Sequence, residues 1–395
     1  MINEKMYQLG SKRSIIREIF EYSKTRAKEI GADKVYDFSL GNPSVAPPVE
    51  IKNALSDLIE NGNSVLLHGY TSAQGDAEVR RAVADDINAR HGVGISPDRI
   101  YMTCGAAASL TVSLKAVCNP GDEVVVFAPF FTEYRVFVEN ADAKIVVSMP
   151  QEPSFQVDID DFRSKITPKT KAVIINSPNN PSGVVYSEET IKAVTAVLKD
   201  KEKEYGNTIY LIADEPYREL VYGDIFVPYL MNYYDDTLVC YSYSKSLSLP
   251  GERIGYIAVS PKMTDETKIY LAVCGAGRSL GFVCAPSLFQ QVIKLCIKTK
   301  VDINIYKKNR DLLYDNLTSY GFTCVKPDGA FYLFVKSPSG DAFEFYERAK
   351  GREILLVPCD DFGVKGYVRI AYCVDEKRIV NSLPAFSDLA KEYNL

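Results

Sequence analysis

The chain has 395 residues, with 46 Lys and Arg against 51 Asp and Glu (net charge -5), 46% hydrophobic residues and 25% charged ones. That length exceeds one small core and suits two domains, and the composition is that of an ordinary soluble enzyme. With no basic tract, no run of membrane-spanning length and no signal-peptide-like apolar stretch in MINEKMYQLGSKRS, the expectation is a cytoplasmic protein that binds neither nucleic acid nor membrane. The nine cysteines are scattered singly and read as free buried thiols in a reducing compartment. The two histidines, His68 and His91, sit in no ligand cluster, so no metal and no histidine-based triad is expected.

In chain order, KRSIIREIFEYSKTRAKEI (12–30) has helical apolar periodicity and ends at Gly31. A short strand and a Pro-rich turn follow in YDFSLGNPSVAPP, then helices over 48–60 and 76–91. Next come seven apolar strand candidates: 99–105, 122–130, 143–149, 171–178, 207–216, 236–244 and 253–260. Several have helices between them, including AASLTVSLKAVC and EETIKAVTAVLKDKEK, and KDKEKEY (199–205) reads as a solvated helix face. Runs that are continuously apolar imply burial on both faces, hence an α/β fold with a mainly parallel sheet. From about residue 284 the pattern becomes long helical material followed by short strands and helices, a smaller α+β domain. The expected division is 1–47, a segment packing with the small domain, then 48–283 and 284–395.

The chemistry collects at the C-terminal ends of these strands, where open α/β sheets bind ligands. CGAAASL (104–110) joins a strand to a helix through small residues, leaving N–H groups suited to a phosphate. NSPNNPSG (176–183) is a turn rich in Asn and Pro, and IADEPY (212–217) delivers Asp214 and Glu215 into another. YSYSKSLSLPGERIGY (241–256) places Lys245 among Ser242, Ser244 and Arg253. A lysine held out of bulk water has a lowered pKa and forms a Schiff base readily, and the serines and arginine suit an anion.

In that order Asn180, Asp214, Tyr217, Lys245 and Arg253 resemble the signature of the fold-type-I pyridoxal-phosphate enzymes, in the class I/II aminotransferase group that includes aspartate aminotransferase. The resemblance runs from about residue 36 to 372. It implies pyridoxal 5'-phosphate as cofactor, a homodimer with shared active sites, and amino transfer from an L-amino acid to a 2-oxo acid. Aspartate or an aromatic amino acid with 2-oxoglutarate is an expected pair. Lys245 would carry the cofactor as a Schiff base and act as acid and base. Asp214 would pair with the pyridine nitrogen, and Tyr217 and Asn180 would bond the phenolic oxygen. Gly105, Ala106, Ala107, Ser242 and Arg253 would hold the phosphate. The family often has a polar side chain where this sequence has only alanines, so backbone N–H groups would do more. Phe131, with Phe130 and Tyr134 nearby, would stack on the ring, and Tyr70 would reach the phosphate of the other subunit. Arg369 would hold the substrate α-carboxylate, with Gly41 and Asn42 in the segment that closes over it. The family's dicarboxylate specificity often uses a second arginine from the partner subunit, for which Arg278 is a candidate by region only. A C–S β-lyase uses the same lysine and aspartate and is the nearest alternative. A non-catalytic cofactor-binding regulator is the alternative of another class.

Overall fold

The computed structural model describes residues 2–11 and 14–395. Lys12 and Arg13, the start of the helix expected over 12–30, lie outside the described residues. A first helix, Glu4–Ser11 (α1), buries none of its residues. The second, Ile15–Ile30 (α2), begins where the Ser14 hydroxyl accepts the Arg17 N–H, and it ends at Gly31, whose φ of 100° halts the helix.

The seven strand candidates form one sheet: Ile100–Thr103 (β1), Glu123–Phe127 (β2), Lys144–Ser148 (β3), Thr170–Asn176 (β4), Tyr210–Asp214 (β5), Thr237–Ser242 (β6) and Gly255–Val259 (β7). Their spatial order is β1-β7-β6-β5-β4-β2-β3. The neighbours from β6 to β3 pair in parallel, while β7 runs antiparallel to both β1 and β6. The β6–β7 connection is too short for a helical crossover, so the chain must return beside itself. It does so through a single helical turn, Tyr243–Ser246, and the Pro250–Gly251 bend, and the Tyr243 N–H bonds the Ile254 carbonyl. Lys245 and Arg253 thereby share one end of the sheet.

Helix Ala106–Val117 (α3) follows β1 and packs across the sheet. Helix Glu133–Asn140 (α4) is not among the elements read from the sequence. Its aromatic and β-branched residues are weak helix formers, and its packing on α3 and β3 supplies the missing stability. The 286–321 helical run is two helices, Ser287–Cys296 and Asn304–Ser319. The first packs on the helices Val49–Asn61 and Ala77–His91 and buries Val292, Ile293 and Cys296 in the core beside the large sheet. The second packs on the C-terminal helix Glu376–Glu392. The amphipathic face of Ser287–Cys296 is thus matched by the large layer.

A four-stranded antiparallel sheet completes the fold: Cys324–Val325 (β8), Tyr332–Lys336 (β9), Val357–Pro358 (β10) and Tyr367–Ala371 (β11), in the order β8-β9-β11-β10. Tyr36–Asp37 pairs in parallel with Ile354–Leu355, and α2 packs on β10. Arg26 of α2 reaches the Glu353 carboxylate at 2.6 Å. The N-terminal segment is thus tied to the small layer. All nine cysteines are free.

Candidate active site

A cleft of about 550 Å³ opens at the C-terminal ends of β4, β5 and β6, between the large sheet, the small sheet and α2. Lys245 projects into it. Its Nζ donates to the Gly41 carbonyl at 2.6 Å and lies 5.2 Å from the centre of the Phe331 ring. Burial brings its pKa down to about 8; the nearby Cys373 opposes that shift, and Arg369 and Arg253 add to it. An amine of this kind is partly neutral, and so nucleophilic, near neutral pH.

Asp214 ends β5 and is buried. Its Oδ2 accepts the Tyr134 hydroxyl at 2.5 Å, while Oδ1 is buried with no hydrogen-bond partner among the described residues. Burial pushes its carboxyl up to about 7, Tyr134 opposes that shift and Glu215 adds to it. An unpaired buried carboxylate oxygen is costly, so this one asks for a donor from within the cleft. The Asp214 backbone carbonyl accepts the Asn176 amide at 2.9 Å, and Asn176 Oδ1 accepts the Asn180 N–H at 2.8 Å, which ties β4 and β5 together beneath the site.

An anion cradle lies at the start of α3. Gly105 precedes the helix with φ 86° and no side-chain cap, so the first-turn N–H groups of Ala106 and Ala107 remain available. A Cβ on Gly105 would lie 2.8 Å from Arg253 Nη2, so this backbone approaches the guanidinium as only glycine permits. Arg253 Nη1 donates to the Pro250 carbonyl at 3.0 Å and lies 3.5 Å from Ser244 Oγ, which is 2.7 Å from Ser242 Oγ.

On the opposite wall Arg369 donates to Asn180 Oδ1 at 3.0 Å and to the Ser39 carbonyl at 2.7 Å, and its Nε has no partner among the described residues. The Tyr217 and Tyr332 hydroxyls are 2.9 Å apart. Gly41 passes so close to the Tyr332 hydroxyl that any side chain there would collide with it. Phe131 lines the cleft and meets Tyr134 edge-on at 5.8 Å.

Tyr70, expected to reach the phosphate of the other subunit, is 100% exposed and borders no part of this cleft, and Arg278 is exposed in the last turn of the helix Glu266–Ser279. Conversely, sequence reasoning missed the wall formed by α2, with Ser14, Ile16, Arg17 and Phe20, and the contact of Tyr134 with Asp214. The helical period of α2 was visible, but its destination was not.

This sheet order, with a lysine turn after β6 and a carboxylate at the end of β5, defines the fold-type-I transferase class built around pyridoxal phosphate. The pattern of the family "Aminotransferase class I and II" matches residues 33–385. A probable aspartate aminotransferase of Methanocaldococcus jannaschii is 29% identical over 96% of this chain and 97% of that protein. A probable aspartate/prephenate aminotransferase of Thermus aquaticus is 31% identical over 88% of this chain and 89% of its own. Among solved structures, an aminotransferase of Eubacterium rectale superposes with a TM-score of 0.98 at 54% identity, covering 100% of both chains. The aspartate aminotransferase of Thermus thermophilus with maleate gives 0.86 at 25% identity, covering 98% of this chain and 99% of the other. The chain belongs to the class I and II aminotransferase family and is an aminotransferase, an enzyme acting on amino acids and 2-oxo acids.

Proposed function

We propose that this enzyme binds pyridoxal 5'-phosphate through a Schiff base to Lys245 and moves the amino group of an L-amino acid to a 2-oxo acid. The reading is carried by one observation: a single cleft pairs a lysine of lowered basicity with a buried aspartate whose Oδ1 lacks a partner. The remaining residues fit the same group. Oδ1 of Asp214 is a partner for a protonated ring nitrogen, Phe131 offers a stacking face, and the Gly105 cradle with Ser242 and Arg253 suits a phosphate dianion. Tyr217 and Asn180 supply hydrogen bonds for the ring's phenolic oxygen. When bound, the cofactor supplies an electrophilic carbon for amines and a ring that takes up the electron pair released at the substrate Cα.

The chain's own residues do the rest. Arg369, with its free Nε, holds the α-carboxylate and so orients the Cα–H bond. Lys245 Nζ would hold the cofactor and, when its amine is free, would take up and give back the proton at the substrate Cα. Gly41 and its neighbours close the cleft over the substrate and exclude water. The fully exposed Tyr70 fits a homodimer in which it reaches the partner's phosphate site. We place the domain division near residues 297–303, with 1–47 joining the small domain, and the free cysteines fit a cytoplasmic enzyme. The relatives' names favour aspartate as amino donor and prephenate, a 2-oxo acid, as one acceptor.

Gly105→Ala tests the cradle. It adds backbone strain of about 1–3 kcal/mol and pushes Arg253 aside, so pyridoxal phosphate affinity should fall roughly 5- to 150-fold, read by equilibrium dialysis. The reaction itself is tested by adding single L-amino acids to the loaded enzyme and following the cofactor band. Amino transfer predicts one conversion per site without added oxo acid, and turnover only when one is supplied. Continuous pyruvate release without an oxo acid would instead mark a β-lyase. A cofactor band that no amino acid alters would mark a binding protein without catalysis.

A further inference from the structure

A second cavity, of about 300 Å³, lies behind the helical turn that carries Lys245. Tyr243 and Ser246 of that turn form one wall, the helix Ala77–His91 forms another through Ala89 and Arg90, and residues 297–300 close the third. Three tyrosine rings meet here. Tyr241 and Tyr256 stack at 4.9 Å, Tyr243 meets Tyr241 edge-on at 5.1 Å, and none of the three is more than 6% exposed. The Tyr241 hydroxyl is engaged, by Glu219 Oε2 at 2.8 Å and Ser246 Oγ at 2.9 Å. The hydroxyls of Tyr243 and Tyr256 have no hydrogen-bond partner among the described residues and, unlike the enclosed orphan hydroxyl of Tyr229, open into the cavity. A buried hydroxyl without a partner is costly, so these two ask for a polar group from within the cavity.

The charges around the cavity select the ligand. Arg90 donates to Glu219 at 2.7 Å and to Asp86 at 3.2 Å, so one cation engages both acids of the lining and an amine finds no free carboxylate. Lys298 and Lys300 are exposed at the mouth and make no ion pair or hydrogen bond among the described residues. The interior is therefore aromatic with two unpaired hydroxyls, and the mouth is cationic. Water satisfies the hydroxyls but leaves the ring faces wet. We infer that this cavity is a second ligand site, apart from the catalytic cleft, and that it takes a small aromatic carboxylic acid. The ligand's ring lies against the tyrosine faces, a polar ring substituent meets the Tyr243 and Tyr256 hydroxyls, and the carboxylate faces Lys298 and Lys300. The two cavities share no lining residue, so the inference stands independently of the function proposed above.

The test titrates 4-hydroxybenzoate into the pyridoxal-phosphate-loaded enzyme by calorimetry, with 4-hydroxybenzamide as the neutral probe. The expected result is a single equivalent of 4-hydroxybenzoate per chain and weaker binding of the amide. Ala89→Trp, at an exposed helix position, fills the cavity and should lower the affinity about 5- to 150-fold. Tyr243→Phe and Tyr256→Phe each remove one oxygen and leave the packing as it was, and each should cost about 2- to 10-fold. Lys298→Ala combined with Lys300→Ala should cost about 2- to 30-fold for the acid and little for the amide. Arg369→Gln, a change confined to the catalytic cleft, should leave the affinity as it is. Absence of binding, unchanged affinity in Ala89→Trp or in both Tyr→Phe variants, or equal affinity for the two probes would overturn the assignment. So would a loss in Arg369→Gln, which would put the acid in the catalytic cleft.

Discussion

Lys245→Ala is expected to abolish amino transfer, lowering kcat by more than about 10⁴-fold. General acid–base help alone is worth about 10²–10⁴-fold, and this residue also supplies the covalent hold on the cofactor. No other amine in the cleft can replace it, because the remaining cations, Arg17, Arg253 and Arg369, are guanidiniums that do not deprotonate. The variant should fold, since the truncation removes one hydrogen bond to the Gly41 carbonyl and relieves a buried amine of its desolvation. Steady-state transamination with circular dichroism as a fold check decides the matter. Ordinary turnover in a folded variant would remove Lys245 from the mechanism.

Asp214→Asn should produce the next largest loss, about 10³-fold in kcat/KM. A nearby carboxylate raises the pKa of a basic nitrogen by roughly 1–3 units, and an amide cannot do so. The cofactor ring would then lose its proton near neutral pH and accept electrons poorly. This carboxylate also carries a signature in the cofactor-free protein. Its folded pKa of about 7 stands above the ordinary value, chiefly through burial. The folded chain therefore holds more protons than the unfolded chain between roughly pH 4 and 7. That contribution to stability is full below the lower bound and is lost as pH rises through the upper one. The melting temperature of the cofactor-free protein should accordingly fall over this window, and Asp214→Asn should flatten the fall. At pH 8 the variant should melt above the unmodified protein without cofactor and gain less when pyridoxal phosphate is added. A pH dependence identical in both proteins would contradict the assignment.

The large sheet was legible because its strands are buried on both faces and so read as unbroken apolar runs. The site residues were legible because they sit where those runs stop: Asp214 closes β5, and Ser242 closes β6 just before Lys245. What stayed hidden depends on contacts between distant segments. Nothing in EYRVFVEN announces a helix until α3 and β3 pack against it. The helical run beyond residue 284 carries no Gly or Pro at 297–303, yet its two halves serve different layers. Tyr134 could be read as one aromatic among several, but only the fold brings its hydroxyl to Asp214 across 80 residues of sequence. Likewise the amphipathic period of α2 locates its buried face through Ile19 but not the cleft that receives Arg17.

The central claim is that Lys245 is the residue joined to the cofactor, and the most direct measurement is chemical. The purified enzyme is loaded with pyridoxal phosphate, reduced with borohydride to fix any imine, digested and mapped by mass spectrometry. The account predicts a single stoichiometric adduct on the peptide containing Lys245, absent when the loaded enzyme is first treated with its amino acid substrate. An adduct on another lysine, or none at any position while amino transfer persists, would contradict it.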